Sequence, residues 1–113
     1  MIKTYGGRKL GRTSSHRKAM LGNMTASLLL HERIQTTKAK ALELKAFAER
    51  VIAQARRGEH RAVRQVIHDK KVFAKLFDVL APRYSAREGG YIQTFHLGAR
   101  PGDNAEKMLV KLI

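Results

Sequence analysis

Residues 6–21, G-G-R-K-L-G-R-T-S-S-H-R-K-A-M-L, constrain this chain most, because they hold five lysines and arginines and no acidic residue. Ordering such a segment costs about 1–2 kcal/mol of backbone entropy per residue, and it has almost no apolar surface to bury in return. Its cations also repel one another. The segment therefore needs a partner, and a polyanion rich in phosphate suits its guanidinium and ammonium groups. A solvated basic tail is the alternative that charge alone leaves open.

The whole chain carries the same excess of positive charge. Its 113 residues include 23 Lys/Arg against 9 Asp/Glu, for a net charge of +14. Its pI of about 10.8 exceeds the value of about 9 that marks nucleic-acid-binding domains. The length suits one domain, no window approaches the ~20 apolar residues of a membrane span, and the first residues lack a secretory signal. The absence of cysteine excludes disulfides and thiolate sites and fits a reducing compartment.

Apolar residues at helical spacing predict four helices. The first starts at a cap formed by Ser14 or Ser15 and runs to about residue 31. The second covers residues 38–57, with Thr37 as its N-cap. Gly58 is expected to end it, because glycine takes the left-handed conformation at low cost.

Two further helices are predicted over residues 59–68 and 70–80. Asp69 is suited to cap the second of them, and Pro82 is expected to stop it. Gly22 lies inside the first helix, where a glycine costs about 1 kcal/mol relative to alanine. The close approach of another backbone or of RNA explains that residue as well as helix packing does, so both explanations stay open.

Three short strands follow from runs of β-branched and apolar residues. They are predicted over residues 33–37, 91–97 and 107–113. Turn-forming residues at 98–105 join the last two strands into a hairpin. The pattern predicts an α+β fold, a helix-rich single domain with a small three-stranded sheet and an extended basic N-terminal arm. We divide the chain into a basic extension, residues 1–14, and a globular RNA-binding domain, residues 15–113.

No catalytic or cofactor site is predicted. The five histidines lie in separate elements without the spacing of metal ligands. Ser14, Ser15 and His16 adjoin in sequence, but no third residue is indicated that would orient a nucleophile and its base. The glycines at 98–102 lack the lysine of a phosphate-binding loop. We therefore expect neither an enzyme nor a bound metal, cofactor or small-molecule substrate.

Several stretches carry a more specific signal than charge. Residues 8–21, R-K-L-G-R-T-S-S-H-R-K-A-M-L, resemble the opening of the bacterial large-subunit ribosomal protein L17 family. Later stretches resemble the same family in the same order: S-L-L-L-H-E-R-I-Q-T-T at 27–37, A-R-R-G-E-H-R-A-V-R at 55–64, K-L-F-D-V-L-A-P-R-Y at 75–84 and G-G-Y-I-Q-T-F at 89–95. The resemblance covers nearly the whole chain.

This resemblance implies a structural constituent of the large ribosomal subunit, located in the cytoplasm within the ribosome. The sequence by itself does not separate a bacterial ribosome from an organellar one. The resemblance implies a helix-rich domain with a small mixed sheet, held by large-subunit (23S) ribosomal RNA near the polypeptide exit. Neighbouring large-subunit proteins are the other implied partners, and a membrane is not one. The family inserts its basic N-terminal extension into RNA, which corresponds here to Arg8, Lys9, Arg12, His16, Arg17 and Lys18.

The predicted RNA-binding residues form two groups. The first group is Arg8, Lys9, Arg12, Thr13, Ser14, Ser15, His16, Arg17 and Lys18. The second group is Arg83, Tyr84, Arg87, Tyr91 and Arg100. Its tyrosines suit stacking on unpaired bases, worth about 1–3 kcal/mol each. A tyrosine in such a loop serves as a lid on the core about as often.

Two other classes of protein share the charge. A DNA-compacting or regulatory protein should offer a recognition helix and usually a two-fold interface, and neither is clear in the sequence. A small RNA-processing enzyme needs an acid/base pair or a metal site. Stabilising folded ribosomal RNA by neutralising its phosphates is therefore the predicted function.

Overall fold

The computed structural model describes residues 14–113 as an alternation of helices with three strands. In chain order the elements are α1 (Ser14–His31), β1 (Arg33–Thr37), α2 (Lys38–Arg56), α3 (His60–Arg64), α4 (Lys70–Lys75), a π-helical turn (Leu76–Leu80), α5 (Ala81–Arg83), β2 (Ile92–Ala99) and β3 (Glu106–Leu112). Since α4, the π-helical turn and α5 follow without a break, they form one helical segment. The predicted α+β fold is confirmed. The predicted extension lies almost wholly outside the described residues, and the division at residue 14 stays a prediction.

The sheet is antiparallel throughout, with strand order β1-β3-β2. The family resemblance implied a mixed sheet. That prediction is wrong, because the central strand β3 runs opposite to both of its neighbours. Ile34 of β1 is paired with Val110 of β3, and Phe95 of β2 is paired with Leu109. An irregularity between His96 and Gly98 shifts the register near the hairpin end.

The core lies between the helices and one face of this sheet. Leu28 of α1, Leu44 and Ile52 of α2, Leu76 and Val110 are fully buried. Their spacing explains why the elements form where they do. Apolar residues recur along one side of each long helix and at alternate positions along β3.

Two helix starts depart from the predicted capping. Ser14 and Ser15 already lie within helix α1, which is described from Ser14 onward, so neither of them is the residue that precedes the helix. Thr37 does precede α2 in an extended conformation, but its side chain makes no capping hydrogen bond. Thr37 is also the last residue of β1, where it pairs with Lys107. The end of α2 is as predicted, with Gly58 at a positive φ of 74°.

The third helix is shorter than predicted, because it ends at Arg64 and not near residue 68. The reason lies in the cap of the next helix. The Asp69 carboxylate accepts hydrogen bonds from the amides of Lys71 at 2.8 Å and Val72 at 3.3 Å. That geometry requires an extended backbone at Asp69, with ψ at 124°, so the chain has to leave the helical conformation before it. The capping role of Asp69 is confirmed.

Pro82 does not stop the last helical segment, which continues to Arg83. A proline ring normally collides with the carbonyl four residues earlier. Here the preceding turn is π-helical, and the Ala81 amide donates to the Leu76 carbonyl, five residues back. Because a π turn is wider than an α turn, the backbone before the proline is displaced and the helical conformation persists.

Gly22 is buried where α1 crosses the connection between α3 and α4. A Cβ at this position would lie 3.4 Å from the carbonyl oxygen of Val66. Of the explanations left open by the sequence, the close approach of another protein backbone is the one that the structure supplies.

Glu32 links three parts of the helical layer. It follows α1 with a φ of 66°, a conformation that costs a residue with a Cβ about 1 kcal/mol or more. Its carboxylate accepts two hydrogen bonds from the Arg83 guanidinium, at 2.8 and 3.1 Å, and lies 3.0 Å from the Lys75 Nζ. The hydrogen bonds from Arg83 and then Lys75 lower the pKa of Glu32 to about 2.

We expect Gly22→Val to lower the free energy of unfolding by about 2 kcal/mol, because the branched side chain has to displace the Val66 backbone. Gly22→Ala is the matched control. Its single methyl group fits at van der Waals distance and removes the helix cost of glycine, so its stability should stay within about 1 kcal/mol of the parent. Urea denaturation measures both. Equal stability of the two variants would contradict this packing explanation.

We expect Glu32→Gln to destabilise the protein by about 1 kcal/mol at pH 7, a modest value because solvent screens the partly exposed pair. A lowered pKa in the folded state means that the carboxylate stabilises the fold above its usual pKa and loses this effect as the pH falls. The difference between parent and variant should therefore close between pH 4.5 and about 2. Glu88→Gln, at an exposed loop residue, is the control in the same thermal unfolding series. A difference as large at pH 2 as at pH 7 would exclude this mechanism.

Candidate nucleic-acid interface

A groove lies between the first turns of α1 and the middle of α2. It encloses about 330 Å³. The residues that line it are Ser14, Arg17, Lys18, Leu21, Glu43, Ala46, Phe47 and Arg50. Three of the predicted RNA-binding residues, Ser14, Arg17 and Lys18, therefore meet here.

An ion pair between Arg17 and Glu43 closes the groove floor. The Arg17 Nη2 lies 2.5 Å from the Glu43 Oε1, and the two side chains are only 13% and 8% exposed. Glu43 stands one residue before the fully buried Leu44, so packing of α2 fixes its position. The pair therefore holds the start of α1 against α2 and fixes one predicted RNA-binding arginine in a defined place.

Lys18 and Arg50 lie beside this pair with their charges exposed. Within residues 14–113, neither of them forms an ion pair with a carboxylate. Arg17 lines the same groove, so three cations share it with one carboxylate, that of Glu43. Like charges that line one groove repel one another in the free protein, and an anion bound in the groove would relieve that repulsion.

Ser14, Ser15 and His16 are exposed in the first turn of α1. Ser15 and Lys18 also line a second hollow, with Gln65, Val66 and His68 on its far wall. The start of α1 therefore projects between two hollows. Arg8, Lys9, Arg12 and Thr13 of the predicted set lie outside the described residues.

The arginines of the second predicted group are mostly held by the protein itself. Arg83 donates both of its terminal nitrogens to Glu32, which raises the pKa of its guanidinium. Arg100 donates to Asp103 at 3.1 and 2.5 Å, and this pair braces the hairpin loop. Arg87 is exposed on the connection between α5 and β2. This group spans the end of α5, the connection to β2 and the hairpin loop, and none of its members lines the α1 groove.

Tyr84 and Tyr91 are core residues, only 2% and 1% exposed. Their ring centroids are 5.1 Å apart. The Tyr84 hydroxyl donates to the Ile113 carbonyl at 2.7 Å, and the Tyr91 hydroxyl accepts from Arg56 at 3.0 Å. Of the two roles left open by the sequence, the structure places both rings in the core, with no face open to a base.

Arg50 lines the groove although the sequence-based set omits it. A signal for it exists in the chain, because Glu43, Phe47 and Arg50 recur at helical spacing along one side of α2. The sequence does not reveal, however, that this side of α2 faces the start of α1. Only the packing of the two helices brings Arg50 near Lys18.

Within residues 14–113, no group of three or more His, Cys, Asp or Glu residues is placed to hold a metal ion. None of the helices described there is long and apolar enough to cross a membrane.

Comparison with known proteins gives a consistent result. The family model described as Ribosomal protein L17 matches residues 20–113. The chain is 47% identical over 113 residues to the large ribosomal subunit protein bL17 of Elusimicrobium minutum, covering 100% of this chain and 99% of that protein. It is 54% identical over 116 residues to the bL17 of Geobacter metallireducens, covering 100% of this chain and 65% of the longer relative. The bL17 of Endomicrobium trichonymphae is 47% identical over 116 residues, with 100% and 99% covered.

The Arg17–Glu43 pair should matter for stability more than the exposed cations beside it. We expect Glu43→Gln to lower the free energy of unfolding by about 2 kcal/mol, because it leaves the largely buried Arg17 charge without its carboxylate. Lys18→Gln, at an exposed position one residue along α1, should change stability by less than about 0.5 kcal/mol. Chemical denaturation compares the two. Similar small effects would show that the pair does not hold α1 to α2.

Proposed function

Because this chain belongs to the ribosomal protein L17 family, we propose that it binds and stabilises large-subunit (23S) ribosomal RNA near the polypeptide exit. The family makes it a structural constituent of the large ribosomal subunit, with its place in the cytoplasmic ribosome, and not an enzyme.

The distribution of charge around the α1 groove is the observation that carries the proposal. Lys18 and Arg50 expose positive charge on one groove beside Arg17, and no carboxylate in residues 14–113 pairs with either. These like charges repel one another while the protein is free. Phosphates in the groove would neutralise both side chains.

The proposed mechanism divides the work between the extension and the folded domain. Residues 1–14 enter between RNA segments whose phosphates would otherwise repel one another, with Arg8, Lys9 and Arg12 as the neutralising groups. The start of α1 continues this path into the groove. Arg17 is fixed there by Glu43, so the folded domain sets the direction in which the extension leaves it.

Neighbouring large-subunit proteins are the second class of proposed partner. The hairpin loop and the connection between α5 and β2 are exposed. Arg100 in that loop and Arg83 at the end of α5 are already paired with the carboxylates of Asp103 and Glu32. These surfaces therefore contribute less phosphate binding than the α1 groove does, and Arg87 is the cation there that we propose contacts RNA.

The affinity of the full chain for a 23S RNA transcript should fall steeply as the salt concentration rises. Each phosphate contact should add about 0.7–0.9 to the steepness of the plot of log K against log salt concentration. We expect Lys18→Gln and Arg50→Gln each to lower that slope by about 0.7–0.9 and to leave the melting temperature unchanged. Arg57→Gln is the control, because the Arg57 guanidinium is already paired with Glu59 at 2.7 Å. Filter binding over a range of potassium chloride measures the slopes. Equal slopes for all three variants would exclude the groove as the interface.

Association with the ribosome itself is tested by sedimentation. We expect the chain to co-migrate with the large subunit in a sucrose gradient and to stay there after a high-salt wash. A chain that remains at the top of the gradient, or that leaves the particles at the first rise in salt, would contradict an integral place in the subunit.

A further inference from the structure

The outer face of the sheet, on the side away from the core, has a composition unlike the rest of the surface. Side chains alternate across a strand, and the residues between the buried ones point away from the helices. Its members are Arg33, Gln35 and Thr37 of β1, Lys107, Leu109 and Lys111 of β3, and Gln93 and Phe95 of β2. All of them are exposed or partly exposed. We call this set the outer sheet face.

Phe95 stands in the middle row of that face. It is 44% exposed and is paired across the strands with Leu109, which is in turn paired with Gln35. The ring therefore lies beside an apolar neighbour on a surface that is otherwise polar. A large aromatic ring in this position offers a flat surface on which a planar apolar group can stack.

Cations flank this row on both sides. Lys111 and Lys107 lie two residues to either side of Leu109 on β3, about 13 Å apart at the usual rise along a strand. Arg33 is paired directly with Lys111. The outer sheet face contains no acidic residue, because Glu106 belongs to the opposite alternation and pairs with Lys38 and His96.

Arg33 and Lys111 lie directly opposite each other on neighbouring strands, which is unfavourable in the free protein. Like charges directly opposite on neighbouring strands destabilise a sheet. Among residues 14–113, neither side chain forms an ion pair that would compensate. An anion lying across the two strands would turn this repulsion into two attractive contacts.

We propose that the outer sheet face binds a short unpaired segment of RNA, with one base stacked on Phe95 and phosphates held by Arg33, Lys111 and Lys107. Unpaired nucleotides fit better than a duplex, because the bases of a duplex are already stacked and cannot lie on the ring. Base stacking and phosphate neutralisation together are the usual basis of single-strand binding. This inference rests on the proposed function and adds a second RNA site to the α1 groove.

The first test uses the full chain with ¹³C-labelled phenylalanine and a single-stranded heptamer of adenosine. We expect the Phe95 ring signals, assigned by their loss in Phe95→Ala, to shift upfield as the RNA is added. Phe95→Ala should bind the heptamer about tenfold more weakly and should bind a duplex RNA of the same length as the parent does. Leu30→Ala is the matched control, because Leu30 is 45% exposed on α1.

The second test uses the opposed charges. We expect Lys111→Glu to raise the melting temperature by about 2 °C, because it replaces a repulsive cross-strand pair with an attractive one. The same change should weaken heptamer binding about tenfold, because it replaces a phosphate contact with repulsion. A residue with only a structural role would not move the two quantities in opposite directions. A lower melting temperature, or unchanged binding, would overturn the proposal.

The outcomes separate this site from the proposed function. If Phe95→Ala and Leu30→Ala bind the heptamer equally while the 23S transcript still binds the parent, the outer sheet face is not an RNA site and the proposed function stands. If the parent binds neither RNA, both proposals fail. If the Phe95 signals respond to heptaglutamate or to protein concentration and not to RNA, the face belongs to a protein partner and the inference is overturned.

Discussion

A shortage of carboxylates governs this protein, with 9 Asp/Glu for 23 Lys/Arg. Four of those carboxylates join separate elements of the fold. Glu43 holds α1 to α2, Glu32 joins the end of α1 to Lys75 and to Arg83, and Glu49 accepts a hydrogen bond from the Ile92 amide at 3.1 Å. The fourth, Glu106 of β3, pairs with Lys38 and His96. Because these acids are used between elements, most of the cations in residues 14–113 form no ion pair with a carboxylate. The architecture and the positive surface are two results of the same distribution.

The electrostatic free energy of an unpaired cation in the folded protein depends on which charges lie near it. Lys18 shares a groove with Arg17 and Arg50, and Arg33 lies opposite Lys111 on the neighbouring strand. Each arrangement is mildly unfavourable in the free protein, because like charges lie close together. A polyanion reverses the sign of both. Binding of RNA is therefore expected to stabilise the folded domain.

The sequence predicts a structural feature well when the interactions that determine it join residues close together in the chain. The helices, the Asp69 cap and the left-handed Gly58 depend on residues a few positions apart, so the sequence predicts them well. The end of the third helix and the passage of the helix through Pro82 depend on the competing demands of the Asp69 cap and of a π-helical turn. Propensity alone does not reveal which of two local preferences prevails.

Charge, element order and family resemblance are properties of the sequence itself, because they need no knowledge of which surfaces meet. They were sufficient to predict an α+β domain of a ribosomal protein. Only the tertiary structure decided which side chains are available. It buries Tyr84 and Tyr91 in the core, engages Arg83 with Glu32, brings Arg50 to the start of α1, and leaves Phe95 exposed among cations. The physical reason is that availability depends on the packing of elements far apart in the chain, which residue type and spacing do not encode.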